Sequence, residues 1–396
     1  MRSSGFLAVI LLMSSAVAQS DDGRDLHRGG DPTSVTISGV SSGAAMAVQY
    51  AVAHSSSIVG VGSIAGPAWG CADGELSRAI NDCMCGRHSV TSQISLAHML
   101  ASSQEQAIDP LVAGKSQSLK RAYVFQSAED ATVKKQPAQS SIDFLRAIVR
   151  EKVVVDTGNH NDDSDHAGHG IISPSGSDAC RANDQDKTYV RQCGADDNAG
   201  KLFHTLYGGN QSYDPSKRVK NIPEDEVWMF DQQKIINTVK DQAAPIARDQ
   251  YFGIFPIHSP RRENFDMAKI GYLYVPPSCR TTEKKCHVHI ALHGCKQDAE
   301  KFAKTAGYNN WAERYHVIVV YPAIEPYRPR QEETCKAREF TPADDVSWIE
   351  PNDNACWDWW GYLDIGWPEQ YRYLTKKAPQ MQVIERIIAD VTRPIQ

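Results

Sequence analysis

The stretch "SVTISGVSSGAAMAVQYAVAH", residues 34–54, decides the fold. Val35, Thr36 and Ile37 read as the end of a strand, and Ala44 to Ala53 has helix-forming composition, with Met46, Tyr50 and alanines on one face. Between them, Gly39-Val40-Ser41-Ser42-Gly43 has the G-x-S-x-G pattern. Small flanking residues allow a strand-to-helix turn tight enough to hold a serine hydroxyl clear of the backbone. Gly/Ser-rich turns are common between strands and helices, so Ser41 is a candidate nucleophile whose reading depends on the rest of the chain.

The chain has 396 residues, 41% of them hydrophobic, enough to bury a full core in one large domain or two smaller ones. Its net charge of -6 is spread without long like-charge runs, which argues against a nucleic acid or an anionic membrane as partner. The start, "MRSSGFLAVILLMSSAVAQS", has Arg2, an apolar run from Phe6 to Met13, and small residues before Gln19. It reads as a secretory signal over residues 1–18, cut after Ala18. The run is too short to span a bilayer, which takes roughly 20 residues. A soluble, exported protein is expected, without integral membrane contact and monomeric. The ten cysteines, an even number in an exported chain, predict up to five disulfides, with Cys180–Cys193 and Cys279–Cys286 as natural local pairs. Asn210-Gln211-Ser212 is a glycosylation acceptor only in a eukaryotic host.

No linker or internal repeat divides the chain. One domain is expected over residues 31–396, after a flexible segment at 19–30. Apolar, β-branched runs alternate with helical stretches: "SVTIS", "SIVGVGSIAG", "RAYVFQS", "EKVVVDTG", "IGYLYVPP", "HVHIALHG" and "VIVVYPA". This alternation predicts an α/β fold with a mainly parallel sheet and helices on both faces. The order of the pieces is unusual. In an α/β-hydrolase the oxyanion loop precedes the nucleophile, but here "VHIALHGCKQ" follows it at residues 288–297. Joining the C-terminal amphipathic stretch "MQVIERIIADVTRPIQ" to "DPTSVTISGVSSG" restores the usual order. The sequence therefore predicts a circularly permuted α/β-hydrolase fold with neighbouring termini.

Ester hydrolysis by a serine requires a base, an acid to orient it, and donors for the oxyanion. For the acid, "RAYVFQSAEDATV" offers Asp130 after a strand, with Glu129 as rival. For the base, "HNDDSDHAGHGIISPSG" offers His160, His166 and His169 after the strand Lys152 to Val155. His169, nearest the Gly-bounded turn, is preferred, with His166 second. These histidines are interleaved with Asp162, Asp163 and Asp165, a possible metal set. Their spacing fits no compact helical pair, and no metal or organic cofactor is expected. The oxyanion donors are assigned to the backbone N–H groups of Ser42 and Cys295, with Gly294 allowing close approach and His293 structural. In "NACWDWWGY", residues 354–362, Trp357 and Trp359 stand as candidate substrate-binding residues, and core packing is the competing reading. Trp360 and Tyr362 stay open.

Taken in order, "SGVSSGAAMA", "VFQSAEDATV", "AGHGIISPSG", "CGADDNAGKLFHTLYG", "IGYLYVPPSC", "CHVHIALHGCKQDAEKFA", "AGYNNWAE" and "NACWDWWGY" resemble the extracellular poly(3-hydroxybutyrate) (PHB) depolymerases, in the single-domain subtype whose lipase box lies near the N-terminus. The resemblance runs over most of the chain. It implies a triad at Ser41, Asp130 and His169, oxyanion donors at Ser42 and Cys295, and a tryptophan of "CWDWW" near the bound ester. It implies a polyester polymer or oligomer as substrate. Ser42 stands where relatives often have alanine, a difference that leaves a backbone donor intact. Many bacterial relatives append a linker and a polymer-binding domain that this sequence does not show.

Overall fold

The structure is a computed structural model that describes residues 26–86, 90–112, 114–183, 186–209, 211–242, 264–281, 285–325, 352, 354–364 and 371–394. The expected signal at residues 1–18, Asn210 and Cys335 lie outside these residues. The strands are β1 (Val35–Val40), β2 (Ile58–Ile64), β3 (Arg121–Phe125), β4 (Lys152–Asp156), β5 (Ile171–Ile172), β6 (Asp178–Ala179), β7 (Val190–Gln192), β8 (Val227–Asp231), β9 (Ile270–Tyr274), β10 (His287–Leu292) and β11 (Val317–Tyr321). The helices are α1 (Ser42–Ala53), α2 (Leu76–Arg78), α3 (Val90–Ala101), α4 (Lys135–Ile148), α5 (Asn198–Tyr207), α6 (Gln232–Gln242), α7 (Ala299–Thr305), α8 (Tyr308–Tyr315) and α9 (Pro379–Val391).

Eight strands form one sheet in the order β4-β3-β2-β1-β10-β11-β9-β8. β9 alone runs antiparallel to its neighbours, pairing so with both β11 and β8, while the other pairs are parallel. Counting from β8 through β11 and then from β1 to β4 numbers the sheet 8-7-6-5-3-4-2-1, with the second strand reversed. That is the α/β-hydrolase sheet entered part-way through its chain. The join is visible: Gly29 N–H donates to Arg393 O at 2.7 Å and Gly30 N–H to Val391 O at 3.1 Å, so the segment entering β1 is bonded to the end of α9. Within the segment expected at 19–30, Leu26 is buried as well.

Side chains alternate across the sheet. Ile318 and Val320 join the apolar cluster beneath α1, α4, α6 and α9, whereas Val317, Val319 and Tyr321 join the one beneath α5, α7 and α8. β1 is central, and all six of its residues are buried, as a strand covered on both faces requires. α1 is buried over all twelve residues. Its alanines and glycine let it lie close against the strands.

β8 was not among the runs read as strands. A small second sheet, β5-β7-β6, lies in the long segment between β4 and α5. Cys180–Cys193 staples it, and Cys279–Cys286, Cys71–Cys83 and Cys295–Cys356 are also bonded. Cys85 is disulfide-bonded as well. No helix among the described residues is long and apolar enough to cross a membrane.

Candidate active site

Ser41 lies directly beyond β1, with φ 56° and ψ -118°, in the positive-φ region that non-glycine residues rarely occupy. Its N–H donates to Ile64 O at 2.9 Å, and its carbonyl accepts from Ala45 N–H at 3.0 Å, so both ends of the turn are fixed. The flanking glycines are required sterically. A Cβ on Gly39 would lie 2.2 Å from the carbonyl carbon of Gly43, and one on Gly43 would lie 2.3 Å from His293 O. Helix α1 thus leaves the strand in contact with the end of β10.

That contact sets the loop after β10 beside the serine. A Cβ on Gly294 would sit 3.3 Å from Ser41 Cβ and 3.1 Å from Val40 O. The N–H groups of this loop are nearly all used. Gly294 N–H donates to Gln297 Oε1 at 2.5 Å, Lys296 N–H to Asn354 O at 2.7 Å, and Gln297 N–H to Gly294 O at 3.4 Å. Cys295 N–H has no acceptor among the described residues. Ser42 opens α1, so its N–H has no acceptor within the helix.

His293, at the same loop, accepts from Ile324 N–H through Nε2 at 3.1 Å. Its Nδ1 therefore carries the proton and donates to Gly294 O at 2.8 Å. Burial holds its pKa down to about 4. With both ring nitrogens engaged, it braces the loop.

On the other side of the site, Asp130 follows β3 and His169 follows β4, and His169 Nδ1 meets Asp130 Oδ2 at 2.8 Å. Both are buried, at 6% and 8% exposed. Asp130 Oδ1 accepts from Thr132 N–H and Val133 N–H, each at 2.9 Å. The carboxylate thus caps its own turn with one oxygen and holds the imidazole with the other. A carboxylate accepts, so His169 carries its proton on Nδ1 and keeps the lone pair on Nε2. The rivals are engaged elsewhere: Glu129 is half exposed and lies 3.3 Å from His166 Nδ1.

Two residues that sequence reasoning missed hold this arrangement. Arg191, on β7 and 1% exposed, donates through Nε to His169 O at 2.7 Å and pairs with Asp186 at 2.6 Å. Gln297 bonds Gly294 N–H with its carbonyl and donates through Nε2 to Thr188 O at 2.6 Å. It therefore ties the β10 loop to the segment whose Tyr189 ring meets His169 edge-on. Gln297 stood in the quoted "HGCKQ", three residues beyond Gly294. Arg191 had no signal beyond being a charge between strand residues.

Trp357 is wholly buried and braces the β10 loop from behind. Its indole N–H donates to His293 O at 2.9 Å, and its backbone N–H faces Ser42 Oγ at 3.4 Å. The reading of Trp357 as a subsite wall keeps its position next to the elbow but has no exposed face to support it. Trp359 and Trp360 pack edge to face, both nearly buried. Asp358 anchors the segment, accepting from Gly361 N–H and Tyr362 N–H at 2.8 Å each, and its burial pushes the carboxyl pKa up.

The "Esterase PHB depolymerase" family model matches residues 270–336, which include the β10 loop. A poly(3-hydroxybutyrate) depolymerase of Delftia acidovorans is 26% identical over 368 residues, 91% of this chain and 60% of the relative. A polyhydroxybutyrate depolymerase of Talaromyces funiculosus is 27% identical over 349 residues, 85% of this chain and 83% of the relative. The chain is thus similar to PHB depolymerases over most of its length. It spans about three-fifths of the length of the Delftia acidovorans relative. The PHB depolymerase fold is also found by structure: a PHB depolymerase solved in complex with an R3HB trimer superposes with a TM-score of 0.63 at 22% identity, covering 92% of this chain and 98% of that one. The PHB depolymerase from Penicillium funiculosum gives the same TM-score and coverage.

Proposed function

We propose that the protein is a secreted serine esterase that hydrolyses the ester bonds of poly(3-hydroxybutyrate) or related polyhydroxyalkanoates. The observation that carries this reading is the His169–Asp130 pair at 2.8 Å, placed by loops after β4 and β3 at the end of the sheet where β1 turns sharply at Ser41. The relatives named PHB depolymerase and the R3HB trimer bound to a protein of the same fold support the substrate class. The disulfides support export, and the single catalytic unit over residues 31–396 is part of the same proposal.

In the proposed cycle, His169 Nε2 takes the Ser41 hydroxyl proton as Oγ attacks the ester carbonyl carbon. Asp130 stabilises the imidazolium that results. The N–H groups of Ser42 and Cys295 receive the oxyanion; Cys295 is suited to this because the neighbouring N–H groups of its loop are already spent. When the intermediate collapses, the alcohol end of the cleaved chain leaves with the proton from His169. Water, activated by the same imidazole, then attacks the acyl-Ser41 ester and releases the acid. These steps use the chain's own groups and water.

The test is product release from amorphous and crystalline poly(3-hydroxybutyrate) suspensions by the native protein and Ser41→Ala. Native protein is expected to clear the polymer, and Ser41→Ala to lose about 10⁶-fold in turnover while keeping its fold. Undiminished turnover in the variant would remove Ser41 from the mechanism. Cleavage of short aryl esters without release from polymer would move the substrate to soluble or plant-wall esters, with the triad kept.

A further inference from the structure

Just ahead of His169, the chain makes two consecutive 3-10 turns, His160–Asp162 and Ser164–His166, joined by Asp163 in the left-handed region at φ 60°. This double turn brings together three side chains that no step above uses. His160 Nδ1 lies 3.3 Å from Asp165 Oδ2, and His166 Nε2 lies 3.7 Å from the same oxygen. One ligand atom from each of the three residues lies within 4.8 Å of the other two. Around a tetrahedral ion with bonds of about 2.0–2.1 Å to nitrogen and oxygen, donor atoms stand about 3.3 Å apart. The two distances to Asp165 are close to that spacing.

Three further observations separate this cluster from a chance meeting of polar groups. His166 keeps its other ring nitrogen, Nδ1, buried without a hydrogen-bond partner but 3.3 Å from Glu129 Oε1, within reach of the kind of outer carboxylate that orients metal-bound imidazoles. Asp165 Oδ1 is buried without a hydrogen-bond partner. The backbone is also held independently of these side chains: Asp165 O accepts from Ala128 N–H at 3.1 Å and from the Ser127 hydroxyl at 3.2 Å, and Arg181 clasps Asp163 at 2.7 Å. The cluster is thus preorganised, and the His160 side chain, 87% exposed, leaves an open approach for an ion and a water.

We propose that His160, Asp165 and His166 bind a divalent cation of borderline softness, of the zinc class, with water completing the tetrahedron and Glu129 as the outer partner of His166. Two imidazoles and one carboxylate suit such an ion, whereas calcium and magnesium favour all-oxygen sets. The ion would tie Glu129, beside Asp130, to the segment that leads into His169. It would stiffen both loops that carry the acid and the base without entering the reaction.

The full disulfide-bonded chain, freed of metal by chelator and dialysed, is titrated with Co²⁺ and then with Zn²⁺. The expected result is one equivalent per chain, with the intense visible absorption of four-coordinate Co²⁺ bleached by Zn²⁺, and an unfolding temperature raised by Zn²⁺. His160→Ala is expected to weaken binding by at least the roughly 10–100-fold that loss of an outer partner alone costs, and Glu129→Gln by about 10-fold. His316→Ala, on a separate loop where His316 faces Ser278, should change nothing. The proposal is overturned if native protein and His160→Ala bind Co²⁺ equally, or if the bound Co²⁺ shows only the faint absorption of six-coordinate ions. Because His160 is highly exposed and makes its ion pair only with Asp165, its loss leaves the fold intact, and the comparison decides the matter.

Discussion

Ser41 is held by backbone pressed against backbone, whereas His169, although Gly168 and Gly170 beside it also approach backbone closely, has its ring and carbonyl held by side-chain hydrogen bonds and charge. On the first side, Gly39 and Gly43 allow approaches that a single methyl group would block, Gly294 lies close against Ser41, and the β10 loop is braced by His293 and Trp357 from within the core. On the second side, Asp130 caps a turn, Arg191 grips the His169 carbonyl, and the Cys180–Cys193 staple closes the small sheet. Close packing couples position to stability, since any added volume displaces the structure around it. Hydrogen-bonded positioning can be altered by exchanging one atom for another of the same size. Added volume on the serine side should therefore appear in folding and turnover together, and an exchange of hydrogen-bonding atoms on the histidine side in turnover alone.

The sharpest test of that separation is Asp130→Asn. The retained Oδ1 can still accept from Thr132 and Val133, so the turn stays capped. The new amide, facing His169 Nδ1, donates where the carboxylate accepted, and it drives the ring proton to Nε2, which can no longer take a proton from Ser41. Turnover is expected to fall by about 10⁴-fold with little change in unfolding temperature. A large loss of stability accompanying it would show that the histidine side is built like the serine side.

Gly43→Ala examines the opposite half. The added methyl meets His293 O and Leu292 O, both backbone atoms, at 2.3 and 2.5 Å, so the end of β10 must move. Overpacking of this kind costs about 3 kcal/mol, and the Cys295 N–H moves with the loop. Denaturant unfolding and turnover on a short aryl ester should fall together, turnover by about 100-fold. A variant of native stability with reduced turnover, or the reverse, would contradict the coupling.

The same contrast explains what could be read from sequence. Ser41, Asp130 and His169 each follow an apolar run that announces a strand, and the oxyanion loop at residues 288–297, placed after the serine rather than before it, pointed to the permutation. β8 escaped because "VWMFD" lies at the sheet edge, with one of its five residues buried, and so lacks the continuous apolar run of a central strand. Arg191 and Gln297 escaped because a single polar residue carries no period; their partners at His169 O, Thr188 O and Gly294 N–H exist only after folding. The cluster at His160, Asp165 and His166 has no helical spacing because two 3-10 turns, rather than one helix, bring the residues together.

The smallest expected effect belongs to the core of the serine side, where histidines are buried uncharged. Burial lowers the pKa of His54 and His293 to about 4, and that of His289 to about 3. Between the ordinary value of 6.5 and these folded values, the unfolded chain binds protons that the folded chain refuses. Stability is therefore fully present above pH 6.5 and is lost as pH falls toward 4, by up to about 1.4 kcal/mol per pH unit for each such histidine. His293→Gln can keep an acceptor for Ile324 N–H while removing one proton site. Its stability should fall less steeply with acid than that of the native chain, by about one histidine's share of the slope. Equal slopes in urea unfolding from pH 6.5 to 4.5 would mean that His293 charges within the folded protein, and that the β10 loop is looser than its packing implies.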